Sequence, residues 1–264
     1  MTTSEPIAPP EGMLNFRDVG GLPAGPGRRV RRGVLFRGDS PQFLTARGAD
    51  LLVGTLGVRT EIDLRRAEEA EREGRGPLAG TDVVHAAFPV TSRRHQPGRH
   101  QPGRHQEAPV TDVPVSGDVG DVADHYLGYL EVSGTAVAGA VRRLADPAAL
   151  PALVHCAAGK DRTGVVVGFA LSVAGVTDAD VADEYAAGSH AVGAVVERLR
   201  ALPGYAVMID NLPPESHLTP PEYLADFLAA VHARWGGPRA WLAGPGQVPE
   251  ADLDRLAALL TEPA

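Results

Sequence analysis

Cysteine and lysine are almost absent from this 264-residue chain, which has one of each, Cys156 and Lys160; every other basic side chain is arginine. A lone cysteine forms no intramolecular disulfide, so no disulfide framework is expected and a reducing compartment is the simplest setting. Excess positive charge is missing too. The net charge of −8 gives no support to a nucleic-acid partner or an anionic membrane surface. Long apolar runs are lacking, since the longest, VVVGFALSVAGV (165–176), falls short of the ~18 residues a membrane span requires. The opening MTTSEPIAPP has neither a basic n-region nor an apolar h-region, so it does not read as a secretory signal. A cytoplasmic location is therefore the default expectation, with export that needs no signal peptide left open. What is present, 44% hydrophobic and 22% charged residues, is the composition of a globular protein able to bury a sizeable core.

Patterning predicts strands over 31–39, 59–65, 81–90 and 150–155. Helices are expected over 43–58, with Thr45 as cap, over the charged AEEAEREG that follows IDLR, over 121–144 and over 163–176. A further helix, 219–235, has Thr219 and Glu222 in capping-box spacing and a buried stripe of Tyr223, Phe227, Leu228, Val231 and Trp235. Trp235 and Trp241 are assigned to the core. Strands alternating with helices and followed by a helical tail indicate an α/β domain. Residues 1–12, rich in proline, read as a loose tail, and 13–264 as one domain. Within it, 91–120 reads as a variable insertion containing the tandem repeat RHQPGRHQPGRHQ, whose Pro and Gly exclude regular structure. Its histidines, His95, His100 and His105, fit either a metal-binding tract or repeat expansion in a tolerant loop; the second reading is adopted.

The lone Cys and Lys fall together in HCAAGKDRTG (155–164), between an apolar strand and an apolar helix. A helix N-terminus presents unpaired N–H groups and partial positive charge, which suit an anion. Ala157, Ala158 and Gly159 are small enough for the backbone to curl around an oxyanion, and Arg162 can grip two phosphate oxygens at once. The same positive field favours Cys156 as a thiolate nucleophile, placed to attack phosphorus. A Walker loop is excluded, because Gly159-Lys160 is followed by Asp161 rather than Ser or Thr.

Cys-x5-Arg followed by Thr, together with NFRDVGG (15–21), LFRGD, IDLR and DVADEY (180–185), resembles the bacterial protein-tyrosine phosphatase family that includes dual-specificity and phosphoinositide-active members. The resemblance spans nearly the whole chain. It implies a central mixed sheet flanked by helices, with a helical C-terminal part. It also implies phosphotyrosine hydrolysis through a phosphocysteine on Cys156, with Arg162 and the loop N–H groups holding the phosphoryl oxygens and Thr163 steadying the thiolate as leaving group. The implied partner is a phosphotyrosine protein or a phosphoinositide, with no cofactor or metal. Oxidised Cys156 has no second cysteine to rescue it, so peroxide sensitivity is expected.

Several roles stay open at this stage. The family places an acid shortly after Phe-Pro, but Phe88-Pro89 is followed by Val90, Thr91 and Ser92. Asp161 is the substitute, either as general acid or merely as partner to a basic group; Asp112, Asp118 and Asp121 are outside candidates. Lys160 either recognises a multiply phosphorylated ring or steers any phosphate. His155 either orients the loop or packs at the strand end. Arg17 and Asp18 are expected to pair beneath the loop, with a substrate role for Arg17 as the other option. The absent acid also favours one reading from a different class, a catalytically silent phosphate-binding module.

Overall fold

The computed structural model describes residues 7–92, 119–211 and 217–264. Its strands are β1 (Arg17–Asp18), β2 (Arg28–Val30), β3 (Leu35–Gly38), β4 (Thr60–Asp63), β5 (Val84–Ala87), β6 (Ala152–His155) and β7 (Thr261–Pro263). Its helices are α1 (Ala46–Asp50), α2 (Ala67–Glu73), α3 (Val119–Arg143), α4 (Asp161–Val173), α5 (Asp178–Ala186), α6 (Ser189–Arg200), α7 (Pro203–Asp210), α8 (Pro221–Trp235), α9 (Pro238–Ala243) and α10 (Glu250–Leu260).

The apolar ALVH of β6 is buried at every residue and occupies the middle of a sheet ordered β1-β3-β6-β4-β5. Parallel neighbours on both sides demand such a run, because helices cover both faces of a parallel sheet. Only β1 runs antiparallel in this sheet; β3, β6, β4 and β5 are mutually parallel. A separate antiparallel pair, β2 with β7, ties the end of the chain back to its beginning. The architecture is thus a mixed α/β sheet flanked by helices, with a helical C-terminal part.

Helix α4 is apolar all round and buried along nearly its whole length, as such a helix must be. It packs against α3, α5, α9 and α10. Phe169 of α4 stacks on Phe227 at 5.8 Å and meets Trp241 edge-on at 5.5 Å. Trp241 is buried, whereas Trp235 is only partly buried against the same core. Helix α3 kinks at Ser133, whose hydroxyl donates to the Thr91 carbonyl (3.1 Å) and accepts from the Thr91 N–H (3.0 Å).

Thr45 caps α1 as expected, accepting from the Gly48 N–H at 3.1 Å, but α1 passes into a wider π turn over Leu51–Thr55. Thr219 does not cap α8. The cap position is Pro220, and the Thr219 hydroxyl instead meets Ser189 Oγ at 2.6 Å. The expected loose tail is docked from residue 7 onward: Ile7 packs against a core cluster, Pro10 is buried, and the Glu11 carbonyl accepts from Thr45 N–H at 3.1 Å. The histidine repeat, Asp112 and Asp118 lie outside the described residues.

Candidate active site

The loop from Cys156 to Lys160 leaves the carboxyl end of β6 and enters the N-terminus of α4. That edge of a parallel sheet is where open α/β folds bind ligands. Gly159 makes the turn with φ +69° and lies so close to β3 that a Cβ there would be 2.2 Å from the Gly38 carbonyl oxygen. Only glycine satisfies both conditions.

The loop carbonyls are tied outward one after another. Ala157 O accepts from Ser40 N–H (3.1 Å). Ala158 O accepts from Asn15 Nδ2 (2.9 Å). Gly159 O accepts from Arg37 Nη2 (2.9 Å) and Asn15 Nδ2 (3.3 Å), and Lys160 O from Gly164 N–H (2.8 Å) and Arg37 Nη2 (3.4 Å). In a trans peptide the N–H points opposite to the C=O of the same plane. Four tethered planes therefore turn the N–H groups of Ala158, Gly159, Lys160 and Asp161 toward the loop interior, the arrangement an oxyanion needs.

Cys156, the first residue after β6, stands at the base of this loop and is 3% exposed. Arg162, in the first turn of α4, is aligned by Glu69 of α2 through Nη1–Oε2 (2.8 Å) and Nη2–Oε1 (3.3 Å). Burial opposes ionisation of Glu69, but the charges and hydrogen bonds of Arg162 and Arg66 outweigh it and hold the carboxyl well below its usual range. Tyr205 of α7 donates to Glu69 Oε1 at 3.1 Å.

His155 is fully buried beneath the loop, with Nε2 2.9 Å from Glu61 Oε1 and Nδ1 3.1 Å from the Cys156 carbonyl. Donor atoms of Glu61, Asp63 and His155 lie within 4.8 Å of one another, close enough for a metal ion. Each carboxylate is, however, already matched by an arginine: Glu61 by Arg75 at 2.6 Å and Asp63 by Arg65 at 2.7 Å. The cluster is an ion-pair lattice that fixes His155.

At the rim, Lys160 Nζ and the Tyr126 hydroxyl both reach Asp161 Oδ1, at 2.7 and 2.5 Å. Burial would raise the Asp161 carboxyl, but the Lys160 charge and these two hydrogen bonds prevail and lower it. The buried Thr163 hydroxyl has no hydrogen-bond partner among the described residues, Cys156 included.

The expected Arg17–Asp18 pair does not form. The two are neighbours on β1, and successive strand side chains point to opposite faces. Arg17 bonds Glu184 Oε1 (2.7 Å) and Asn15 Oδ1 (2.9 Å), while Asp18 accepts from the N–H groups of Gly20 and Gly33. Burial and the neighbouring Arg37 bring Arg17 down to about 10 in spite of Glu184, leaving it charged at neutral pH. Glu184 of α5 also takes Arg37 Nη1 at 2.6 Å, so one carboxylate steadies both the loop-tethering arginine and the support of Asn15. Asn15 is fixed again through Asp39, which accepts its N–H at 2.9 Å and pairs with Arg198. Over the loop, Val192, Val195, Val196 and Leu199 of α6 and Tyr205 and Ile209 of α7 pack on Ala157 and Ala158.

The structure thus gathers Cys156 to Thr163 and His155 into one site and connects Arg17 to it through Asn15; Asp18 belongs to the turn beyond. Asp121 falls in the first turn of α3. Sequence reading gave no role to Asn15, Arg37, Glu184, Glu69 or Tyr126. The first three stand inside NFRDVGG, LFRGD and DVADEY, so the signal was there, whereas Glu69 and Tyr126 had none beyond lying on helices.

No helix among the described residues is long and apolar enough to cross a membrane. The chain is 30% identical over 216 residues to a tyrosine-protein phosphatase of Nostoc commune, covering 79% of this chain and 68% of that one. It is 31% identical over 185 residues to the triple specificity protein phosphatase PtpB of Mycobacterium tuberculosis, covering 64% of each. The matched stretches span between 59% and 68% of the curated relatives' own lengths. Among solved structures, the core catalytic domain of the PP-IP phosphatase SIW14 from S. cerevisiae shares 18% identity at a TM-score of 0.34, over 69% of this chain and 78% of that one. The profile described as the tyrosine phosphatase family matches residues 8–262, and the chain belongs to that family.

Proposed function

We propose that the protein is a phosphomonoester hydrolase that dephosphorylates phosphotyrosine in proteins through a phosphocysteine intermediate. One observation carries this reading: four consecutive peptide planes are tethered with their N–H groups turned inward above Cys156, beside an Arg162 held in place by Glu69. Such a cradle matches the equatorial oxygens of a phosphoryl group in transfer, where charge must be stabilised without reorganisation.

In the first step the Cys156 thiolate attacks phosphorus. The S–P bond forms, the P–O bond to the tyrosine breaks, and the leaving oxygen takes a proton from Asp161. At rest Asp161 is the ionised partner of Lys160. A substrate dianion that draws Lys160 to itself removes the counter-charge and adds a like one, which raises the proton affinity of Asp161, and the carboxylate takes up a proton from solvent before the P–O bond breaks. In the second step water attacks the phosphocysteine, the Asp161 carboxylate takes its proton, and the S–P bond breaks to return the thiolate and release inorganic phosphate. Thr163, buried without a partner, supplies a hydroxyl for the returning sulfur. Lys160 at the rim extends the proposal to a substrate with a second anionic group, including phosphoinositides. The Mycobacterium relative is named a triple specificity protein phosphatase, which supports testing more than one substrate class.

The deciding experiment measures phosphate release by wild type and Cys156→Ser from a phosphotyrosine peptide, a phosphoserine peptide and a phosphoinositide. Rapid quench is used to find the phosphoryl adduct on the peptide carrying Cys156. Turnover and adduct that both vanish in the mutant are expected. Folded wild type without turnover on all three would overturn the enzyme reading in favour of a silent phosphate-binding module, the reading the missing acid after Phe88-Pro89 favours.

A further inference from the structure

Helix α3 sends Tyr126 and helix α5 sends Tyr185 to the first turn of α4, both rings fully buried. Tyr126 stacks on Tyr129 and meets Phe227 edge-on, each at 5.8 Å, and the Tyr185 ring lies so near Gly164 that a Cβ there would be 2.8 Å from it. Phenylalanine would fill these apolar seats equally well. A buried hydroxyl is costly unless hydrogen-bonded, so the two hydroxyls need a reason.

Their partners give it. The Tyr126 hydroxyl is 2.5 Å from Asp161 Oδ1 and 2.8 Å from the Tyr185 hydroxyl. An ionised carboxylate only accepts, and a phenol has one proton to give. Tyr126 therefore donates to Asp161, and Tyr185 must donate to Tyr126. The chain has a single direction, from Tyr185 through Tyr126 to the carboxylate at the rim of the phosphate loop.

We propose that Tyr126 is a positioning residue for Asp161, its hydroxyl fixing where the carboxylate stands at the loop rim and how firmly it holds a proton. The proposal rests on the reading of Asp161 as the proton donor. Asp161 is faced by Lys160 from the loop, Tyr126 and His125 from α3, Tyr185 from α5 and His217 from the segment before α8. Tyr185 in turn feels Arg37 of β3 and Tyr223 of α8. Of these, Tyr126 and Lys160 are the groups that hydrogen-bond the carboxylate among the described residues. The Lys160 ammonium is the one a substrate phosphate can draw away. The Tyr126 hydroxyl bonds the same carboxylate oxygen from a ring packed among Tyr129, Phe227 and Tyr185, so it stays in place when Lys160 turns and keeps the carboxylate aimed.

The test is the pH dependence of kcat/KM for wild type, Tyr126→Phe, Asp161→Asn and the double variant, on an aryl and an alkyl phosphate. The ionisation that Asp161→Asn removes is expected to move upward in Tyr126→Phe, since a hydrogen bond to the charged form is lost. The kcat on the alkyl phosphate should fall several-fold more than on the aryl phosphate, with KM little changed. The double variant should match Asp161→Asn alone. Tyr185→Phe, which removes the distal donor, should shift the same ionisation in the same direction by less, and serves if Tyr126→Phe does not fold. A wild-type pH profile in both variants, or a shift that persists without Asp161, would overturn the proposal. Carboxyl-detected NMR titration of Asp161 separates the two readings because it needs no turnover. Inactive wild type sinks the phosphatase reading, while an Asp161 titration unmoved by Tyr126→Phe sinks this one.

Discussion

Gly159→Ala puts the tethered-loop argument at risk in a single methyl group. An L-residue at φ +69° costs about 1–2 kcal/mol in the left-handed region. The added Cβ would also sit 2.2 and 2.3 Å from Gly38 O and C and 2.6 Å from Asp39 N, all backbone of β3 or the residue after it, which cannot swing aside like a side chain. The loop must move instead, and the Gly159 carbonyl then loses the Arg37 guanidinium, a charged hydrogen bond of roughly 1.5–3 kcal/mol. Together these amount to about 2.5–5 kcal/mol against the productive loop, and at about 1.4 kcal/mol per factor of ten kcat/KM should fall by roughly two to three and a half orders of magnitude. The control is Gly193→Ala on α6, where a Cβ would meet nothing within 4 Å. Removing a helical glycine there should stabilise by roughly 0.5–1 kcal/mol and leave turnover alone. Steady-state phosphate release and urea unfolding of both variants measure these outcomes. If Gly159→Ala retains turnover within a few-fold of wild type, the loop is not held as described and the reasoning fails.

Glu69→Gln leaves Arg162 buried without its counter-charge, a change that costs roughly 3–5 kcal/mol when a buried pair is broken, less here because the amide keeps one acceptor. The expected result is a kcat about a hundred-fold lower and a reduced unfolding midpoint; a variant unchanged in both would show that Glu69 does not align Arg162. Acid should destabilise the protein: Asp63, Glu69, Asp161 and Glu184 are all held below their ordinary range by paired cations. A carboxyl depressed in the folded state contributes stability that is complete above its unfolded value and is lost as pH falls through the folded one. Urea midpoints should therefore be flat above about pH 5 and drop steadily below about pH 4, near the ordinary carboxylate range. Midpoints that stay level down to roughly pH 3 would contradict these pairings.

The strand–loop–helix around Cys156 was legible because its pattern is extreme: an apolar run, three small residues, then a helix apolar on every side. Glu69 was illegible for the opposite reason. AEEAEREG looks like any solvated helix, and only the sheet order, with β4 beside β6, carries the first turn of α2 to the phosphate loop. Tyr126 lies on the helix expected over 121–144, but periodicity says which face is buried and not which polar atom the buried group meets. Pairing Arg17 with Asp18 failed because chain adjacency was taken for spatial adjacency inside a strand. After Phe88-Pro89, Val90 and Ser92 are buried and Thr91 is bonded to Ser133, a packing that no local sequence pattern announces.

The motifs that carry the family resemblance are scattered over some 170 positions, from Asn15 to Tyr185, yet physically they form one device. Asn15, Arg37 and Ser40 hold carbonyls; Glu184 holds Arg37 and Arg17, Arg17 holds Asn15, and Asp39 holds the Asn15 backbone. Each buried cation around the loop stands against a carboxylate, which is the condition for keeping such charges out of water. A chain with an overall charge of −8 can therefore present a site for an anion, because the attraction does not depend on net charge. In the proposed site it comes from backbone dipoles aimed by the tethers, acting at contact distance among buried groups where salt screens little. Arg37 and Arg17 serve the backbone, and in the proposed reaction it is the backbone that meets the phosphate.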